Sequence, residues 1–257
     1  MTTTTSGIPS RPRAAGASRG VPFGRLLRVE TRKLFDTRGN LVLSAVLVVL
    51  SLALVVGRSV ATGEARFFTL AGTAAIALGV LLPVLGVLTM TGEWSHRTAL
   101  TTFTLEPRRA RVPAAKCVAA VAAAVAVSLV ALLVAALATA VRGGAADWTV
   151  DPLGLLGWIA TMILVTGEGL ALGLLLRNAP AAIVICLVSP MVWSFVAQLG
   201  TTGETLAAWL DLNATTNALM TADMTAVDAV RLATSALAWI VLPLAAGFVR
   251  VLRTDVR

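Results

Sequence analysis

Six stretches of this chain are apolar for long enough to cross a hydrocarbon layer of roughly 30 Å, which takes about 20 helical residues. They predict membrane helices over about 39–57, 67–92, 114–141, 152–176, 179–203 and 231–252. Charge enters these windows only at Glu168 in the fourth and near the ends of the third and sixth, at Lys116, Arg231 and Arg250. Backbone N–H and C=O groups in lipid must be paired within the protein, so a spanning segment is either a helix or a strand of a closed barrel. Barrel strands alternate apolar and polar residues over about 10 positions. These runs are apolar on every face, and the fold class they predict is all-α and polytopic. The rest of the chain agrees: only 13% of its 257 residues are charged, against about 25% in a soluble domain, too few to cover a water-exposed globule of this size.

The direction of threading follows from where arginine and lysine fall. With the N-terminus inside, eight lie before the first run, five between residues 97 and 116, one at Arg177 and three after residue 249, or 17 on the inner side. Arg58, Arg66, Arg142 and Arg231 are the four left outside. This asymmetry predicts both termini in the cytoplasm. A formal net charge of +8 invites a nucleic-acid reading, but most basic residues flank apolar runs, where they set orientation. No nucleic-acid partner is expected.

Residues 1–20 carry no hydrophobic period and read as a disordered cytoplasmic tail. In 21–38, Phe23, Leu26, Leu27 and Leu34 can share one helical face while Arg25, Arg28, Arg32 and Lys33 occupy much of the rest, the pattern of an amphipathic helix lying against membrane lipid. The link Arg177-Asn178-Ala179-Pro180 is so short that the fourth and fifth helices form an antiparallel hairpin. Two connections exceed a turn. One is internal, 93–113. The other, 204–230, is external and holds Leu206, Trp209, Leu210, Leu212, Leu219 and Met220, enough apolar surface to dip back into the membrane where protein covers its backbone. Residues 253–257 form a second cytoplasmic tail.

The chemistry of an enzyme is missing from the pattern. The two lysines, Lys33 and Lys116, follow no glycine-rich phosphate loop, which needs Lys after Gly at a helix start. His96 is the single histidine, and Cys117 and Cys186 each stand alone in an apolar run, so no metal site is expected. A nucleophile elbow is absent too. Within the membrane Glu168 is the exception, since a central ionisable group costs about 2.5–3.5 kcal/mol on insertion scales. It contacts substrate or a proton in a cavity, or it makes a structural hydrogen bond. Gly72, Gly79 and Gly86 recur at sevens and Gly169 and Gly173 at four, spacings that bring helix backbones together. Pro83 and Pro190 are candidate kinks.

After the second run the sequence reads Thr91-Gly92-Glu93-Trp94-Ser95-His96-Arg97-Thr98, then Leu105-Glu106-Pro107-Arg108-Arg109-Ala110-Arg111, and reaches Lys116. This resembles the loop between membrane helices two and three in permease subunits of bacterial type-2 ATP-binding-cassette (ABC) exporters. There a Gly-Glu step leaves helix two, a Thr follows, and a Pro with trailing Arg residues precedes a Lys at the start of helix three. Gly92, Glu93, Thr98, Pro107, Arg109 and Lys116 fit those positions. The basic entry segment 28–33 and the link 176–178 are similar as well, so the likeness spans most of the chain.

The resemblance implies a coupling loop whose short helix docks on a separate cytoplasmic ABC ATPase subunit. It also implies a second permease copy, the same or a related chain, and ATP with Mg on the partner, with no cofactor bound by this chain. The residues implied in coupling are Glu93, Arg97, Thr98, Leu100, Phe103, Arg108 and Arg109. Independently, Glu93 and Arg97 are four apart and can pair on one helical face, and Leu100 and Phe103 can anchor a partner. The threonines of 98–104 work against a helix there. In the resembled family helices two and five line the export path, which makes Trp193, Phe195 and Gln198, with Glu168, the substrate-pathway candidates for a drug, lipid or peptide. The alternative expectation is a non-transporting membrane immunity or sensor protein that binds a toxin or lipid.

Overall fold

The computed structural model describes residues 21–36, 38–95, 108, 110–221 and 223–253. Helix α1 (Phe23–Asp36) leads into α2 (Arg38–Thr62), α3 (Phe67–Ser95), α4 (Arg111–Ala140), α5 (Pro152–Leu176) and α6 (Ala179–Ala197). Two short helices follow, α7 (Thr201–Leu210) and α8 (Leu212–Thr221). Then α9 (Ala226–Ala236) continues through one wide i→i+5 turn, Leu237–Val241, into α10 (Leu242–Arg253). Helices α2 to α6 and the continuous α9–α10 are the six long and apolar enough to cross a membrane. The chain is an all-α, membrane-embedded polytopic protein, with no β-strand among the described residues. The expected tail 1–20, residues 254–257 of the C-terminal tail, and Arg97, Thr98, Leu100, Phe103 and Arg109 of the expected coupling loop lie outside the described residues.

Caps explain where the helices begin and end. Asp151 accepts from the Leu153 N–H and Pro152 fills the first turn, so α5 starts where the sequence places it. Its end is set by Arg177, whose backbone is left-handed at φ 54° and whose N–H bonds to the Gly173 carbonyl. Asn178 caps α6 through the Ala181 N–H. The fifth helix stops at Ala197 rather than 203, because Gly200 turns the chain with φ 84°. The sixth begins five residues earlier than the apolar run, at a capping box in which Thr225 and Asp228 satisfy each other's backbone N–H. Charged Asp228 and Arg231 sit inside that helix, and hydropathy alone stops short of them.

Helices α3 and α5 form the covered centre of the bundle, while α2, α6 and α9–α10 leave most of their surface uncovered. Lipid tails are as apolar as leucine, so association between such helices rests on close packing. Built on Gly169, a Cβ would stand 2.0 Å from the Pro83 carbonyl oxygen; on Gly86, 2.7 Å from that of Thr166. Gly173 meets Val87 and Met90 at 3.0–3.1 Å. Bare backbone therefore lets α3 and α5 touch along two turns. Gly72 and Gly79 have nothing within 4 Å, so the seven-residue repeat contributes one close contact, not three. Above this crossing Trp158 is fully buried and donates its indole N–H to the Ala71 carbonyl at 3.2 Å.

Helices α7 and α8 make a hairpin that folds back against α5 and α9–α10. Gly157 gives room for the Leu219 carbonyl, 1.8 Å from where a Cβ would be. The Thr161 hydroxyl reaches the Thr216 carbonyl at 3.4 Å, and Thr215 and Ser235 share a hydrogen bond of 2.6 Å. At the hairpin's tip the Leu210 carbonyl accepts from the Trp239 indole at 2.7 Å. Trp239 belongs to the wide turn, whose extra residue re-aims the side chains around it. The tip lies one α7 length, about 15 Å at 1.5 Å per residue, below the start of the hairpin.

Candidate functional site

The end of the bundle that carries α1 holds a buried ionic cluster drawn from three helices. Glu30 of α1 accepts from Lys33 Nζ through Oε1 and from Lys116 Nζ of α4 through Oε2, both at 2.7 Å. Glu93, at the foot of α3, stands 3.3 Å from Lys33 and 3.5 Å from Lys116 through its own Oε1. The side chains of Glu30, Glu93 and Lys116 are 3%, 6% and 7% exposed, and that of Lys33 is 44% exposed. Two carboxylates and two ammonium groups make the cluster neutral as a whole, which is how buried charges are tolerated. Burial works against the Lys33 charge, but the carboxylates of Glu30 and Glu93 outweigh it and hold its ammonium above the ordinary value. Both lysines of the chain are here, and lysine fits: a compact ammonium with three donors can serve two carboxylates at once.

Local sequence explains the placement. Leu26 and Leu34 bury the same side of α1 as Glu30, and Leu26 packs on Val112 and Ala115 in the first turns of α4. That contact sets Glu30 opposite Lys116. Of the apolar face read from the sequence, Leu26 and Leu34 are buried on either side of this acid, Leu27 is half-buried and Phe23 is exposed. Arg25, Arg28 and Arg32 remain exposed, Arg32 pairing with Asp36 at 3.0 Å. Glu93 Oε2 is buried and has no hydrogen-bond partner among the described residues. It lies three positions before residue 96, at the entry to the expected coupling loop.

Of the other expected coupling residues only Arg108 is described; it is exposed, and its carbonyl accepts from the Arg111 N–H at 2.9 Å as α4 begins. The pathway candidates do not converge. Phe195 and Gln198 are exposed near the end of α6, Gln198 donating to the Ser194 carbonyl at 3.2 Å, and Trp193 is half-buried. Glu168 is buried, 3% exposed. It faces Ser189 and Cys186 of α6, where the Ser189 hydroxyl donates to the Cys186 carbonyl at 3.4 Å, and Asp211 at the hairpin tip is nearby. Glu168 thus marks the level to which the hairpin descends.

Lys33 and Lys116 were legible as topology signals and Lys116 also through the resembled motif, but not as partners of Glu30 and Glu93, because the pairings across helices span 60 and 86 residues of chain. One clue was available: a chain that otherwise uses arginine places its two lysines at the mouths of helices, each beside apolar neighbours. Among the described residues no group of three or more His, Cys, Asp or Glu is placed to hold a metal ion. A scan against protein-family models matched none, and a search of curated proteins found no match.

Proposed function

We propose that this chain is the permease subunit of an ATP-driven ABC exporter in a bacterial plasma membrane, with both termini cytoplasmic, working with a second permease copy and a separate ATPase subunit that binds ATP and Mg. The observation that carries the reading is the Glu30–Lys33–Glu93–Lys116 cluster. It ties α1 to the two helix ends that bracket residues 96–110, the segment whose sequence resembles a coupling loop. A push on that segment reaches α3 and α4 directly and α1 through the cluster, so the three elements move together. Helix α3 is locked to α5 through Gly86 and Gly169, and the displacement passes into the centre of the bundle. The least covered helices, α6 among them, present Phe195 and Gln198 outward, where a second copy would enclose a path for an apolar drug, lipid or peptide. Alternation of that path between the two membrane faces exports the cargo.

The test is co-purification of the chain with its ATPase followed by reconstitution. The expected results are an ATPase whose hydrolysis rate changes on joining the chain, and Glu93→Ala and Arg97→Glu variants that insert normally and hydrolyse ATP but export little. Hydrolysis that never responds to the chain, or export unchanged in both variants, refutes the proposal. Orientation is read separately by labelling Ser10→Cys and Asp223→Cys variants with a membrane-impermeant thiol reagent in intact cells, where only the second reacts.

A further inference from the structure

At the end of the bundle opposite the ionic cluster, the loops before α3 and α5 are stitched together. The Asp147 N–H donates to the Ala65 carbonyl at 3.0 Å, and the Asp147 carbonyl accepts from the Phe67 N–H at 2.9 Å. Arg66 stands between those two bonds, so its backbone is fixed. Its side chain is held as well, Nε donating to Asp147 Oδ2 at 3.0 Å. Asp147 is fixed in turn, its Oδ1 accepting from the Thr149 N–H at 2.9 Å. This pairing leaves the two Nη groups of Arg66 without a hydrogen-bond or ion-pair partner among the described residues. Four residues after Asp147, Asp151 caps α5 by accepting from the Leu153 N–H through Oδ1, and its Oδ2 is likewise without a partner among the described residues.

Arg66, Asp147 and Asp151 line one cavity of about 370 Å³, within the roughly 300–1,000 Å³ that small-ligand sites occupy. Phe68 of α3 and Met220 of α8 give it apolar walls. They meet at Gly154 of α5, where a Cβ would stand 3.2 Å from the Phe68 ring and 3.3 Å from the Met220 carbonyl oxygen. Arg66 and Asp147 neutralise each other, and Asp151 keeps its charge. A ligand that carries both an ammonium for Asp151 and an oxyanion for the Nη groups satisfies the two together, whereas a simple cation or a simple anion satisfies one. The guanidinium fork matches two oxygens of a phosphate. Helices α3 and α5 enter the membrane at Phe67 and Pro152, so the cavity opens at headgroup level. Trp148 stacks on Phe67 there with ring centroids 6.0 Å apart, as aromatic side chains do at the membrane interface. Exposed Leu153 and Leu156 on the first two turns of α5 offer acyl chains an apolar surface, for which a soluble zwitterion has no use.

We infer that this cavity is a specific site for the zwitterionic headgroup of an aminophospholipid, with its primary ammonium on Asp151, its phosphodiester on Arg66, and Asp147 holding Arg66 in place. The site rests on the membrane placement of the chain alone and stands whether or not the chain exports anything.

The purified full chain is placed in nanodiscs holding phosphatidylethanolamine, phosphatidylcholine and phosphatidylglycerol in equal amounts, and retained lipid is counted by native mass spectrometry after release. Choline has no N–H to give Asp151, and phosphatidylglycerol has no cation. Wild type is expected to keep phosphatidylethanolamine over either by at least about tenfold, the ratio that one charge-assisted hydrogen bond supplies. Asp151→Asn removes the charge but keeps a capping side chain, so the variant folds and loses the preference. Arg66→Gln retains less phosphatidylethanolamine by a similar factor, whereas Arg58→Gln, at an exposed arginine of the same end, behaves as wild type. Equal retention of phosphatidylethanolamine and phosphatidylcholine by wild type overturns the site, as does an undiminished preference in Asp151→Asn, unchanged retention in Arg66→Gln or loss in Arg58→Gln. Displacement of the retained lipid by millimolar phosphoethanolamine would make the ligand a soluble solute and overturn the lipid assignment.

Discussion

Lys116→Met removes one cation from a cluster that is neutral only with all four members present. The ammonium is 7% exposed and lies 2.7 Å from Glu30 and 3.5 Å from Glu93, themselves 3% and 6% exposed. Without it two buried carboxylates share Lys33, and Glu93, which already has one oxygen without a hydrogen-bond partner among the described residues, loses one of the two ammonium groups on the other. Breaking a buried ion pair in this way costs about 3–5 kcal/mol, because the stranded charge stays desolvated. Lys33→Met also removes a cation, but that side chain is 44% exposed, and solvent screening reduces the expected loss to about 1 kcal/mol. The measurement is reversible unfolding in mixed micelles, followed by helical circular dichroism, for wild type, both single variants, Glu30→Gln and the Lys116→Met/Glu30→Gln pair. Because the pair removes one charge of each sign, it should be less destabilised than the sum of its singles by about 2 kcal/mol, well beyond the 0.3–0.5 kcal/mol within which independent sites add. Equal costs for Lys116→Met and Lys33→Met, or additivity of the pair, would refute the argument that burial and mutual neutralisation govern the cluster.

The glycines give a paired prediction: Gly169→Ala drives a methyl into the Pro83 carbonyl and should destabilise by about 1–3 kcal/mol or more, whereas Gly72→Ala enters open space and should stabilise by up to about 1 kcal/mol through helix propensity, both read in the same unfolding assay. At the opposite end of the bundle the Thr225 hydroxyl and backbone N–H both donate to the Asp228 carboxylate, which closes the first turn of α9. Asp228→Ala removes that acceptor and should open the turn at a cost of about 1 kcal/mol, read as faster hydrogen exchange confined to it; unchanged exchange in the variant refutes the assignment.

The six spanning helices were legible because hydrocarbon imposes one rule on every residue of a span, and a run of leucine, valine and alanine satisfies it without reference to the rest of the chain. α5 was legible to the residue, since Asp151, Pro152 and the Arg177-Asn178 step are local signals. The end of α6 was not. Gln198 and Leu199 look like more helix, and the break depends on the positive φ of Gly200, one of several glycines that sequence treats alike. The start of α9 was hidden for the opposite reason: Asp228 and Arg231 read as loop, although they pair three residues apart at 3.5 Å within the helix. At the candidate site the sequence exposed Glu93 and Lys116 through their motif but gave no sign that Glu30 would meet them, because that meeting depends on how α1 docks. Gly157, Gly203 and Gly247, all at close backbone approaches, also escaped notice because they lack a repeat.

The tip of the α7–α8 hairpin has a consequence for the order of synthesis. Two of its fastenings are the Trp239 indole on the Leu210 carbonyl and the Ser235 hydroxyl on Thr215, and both partners are translated after the hairpin itself. N-terminal segments fold first as a chain emerges, so α2 to α6 can be threaded and packed while residues 201–221 still lack half of what holds them. The hairpin gains these two hydrogen bonds only once the last helix has been made. A ribosome that stops before residue 235 leaves a nascent chain whose last helices are held to α5 through Gly157 and Thr161 but lack both hydrogen bonds.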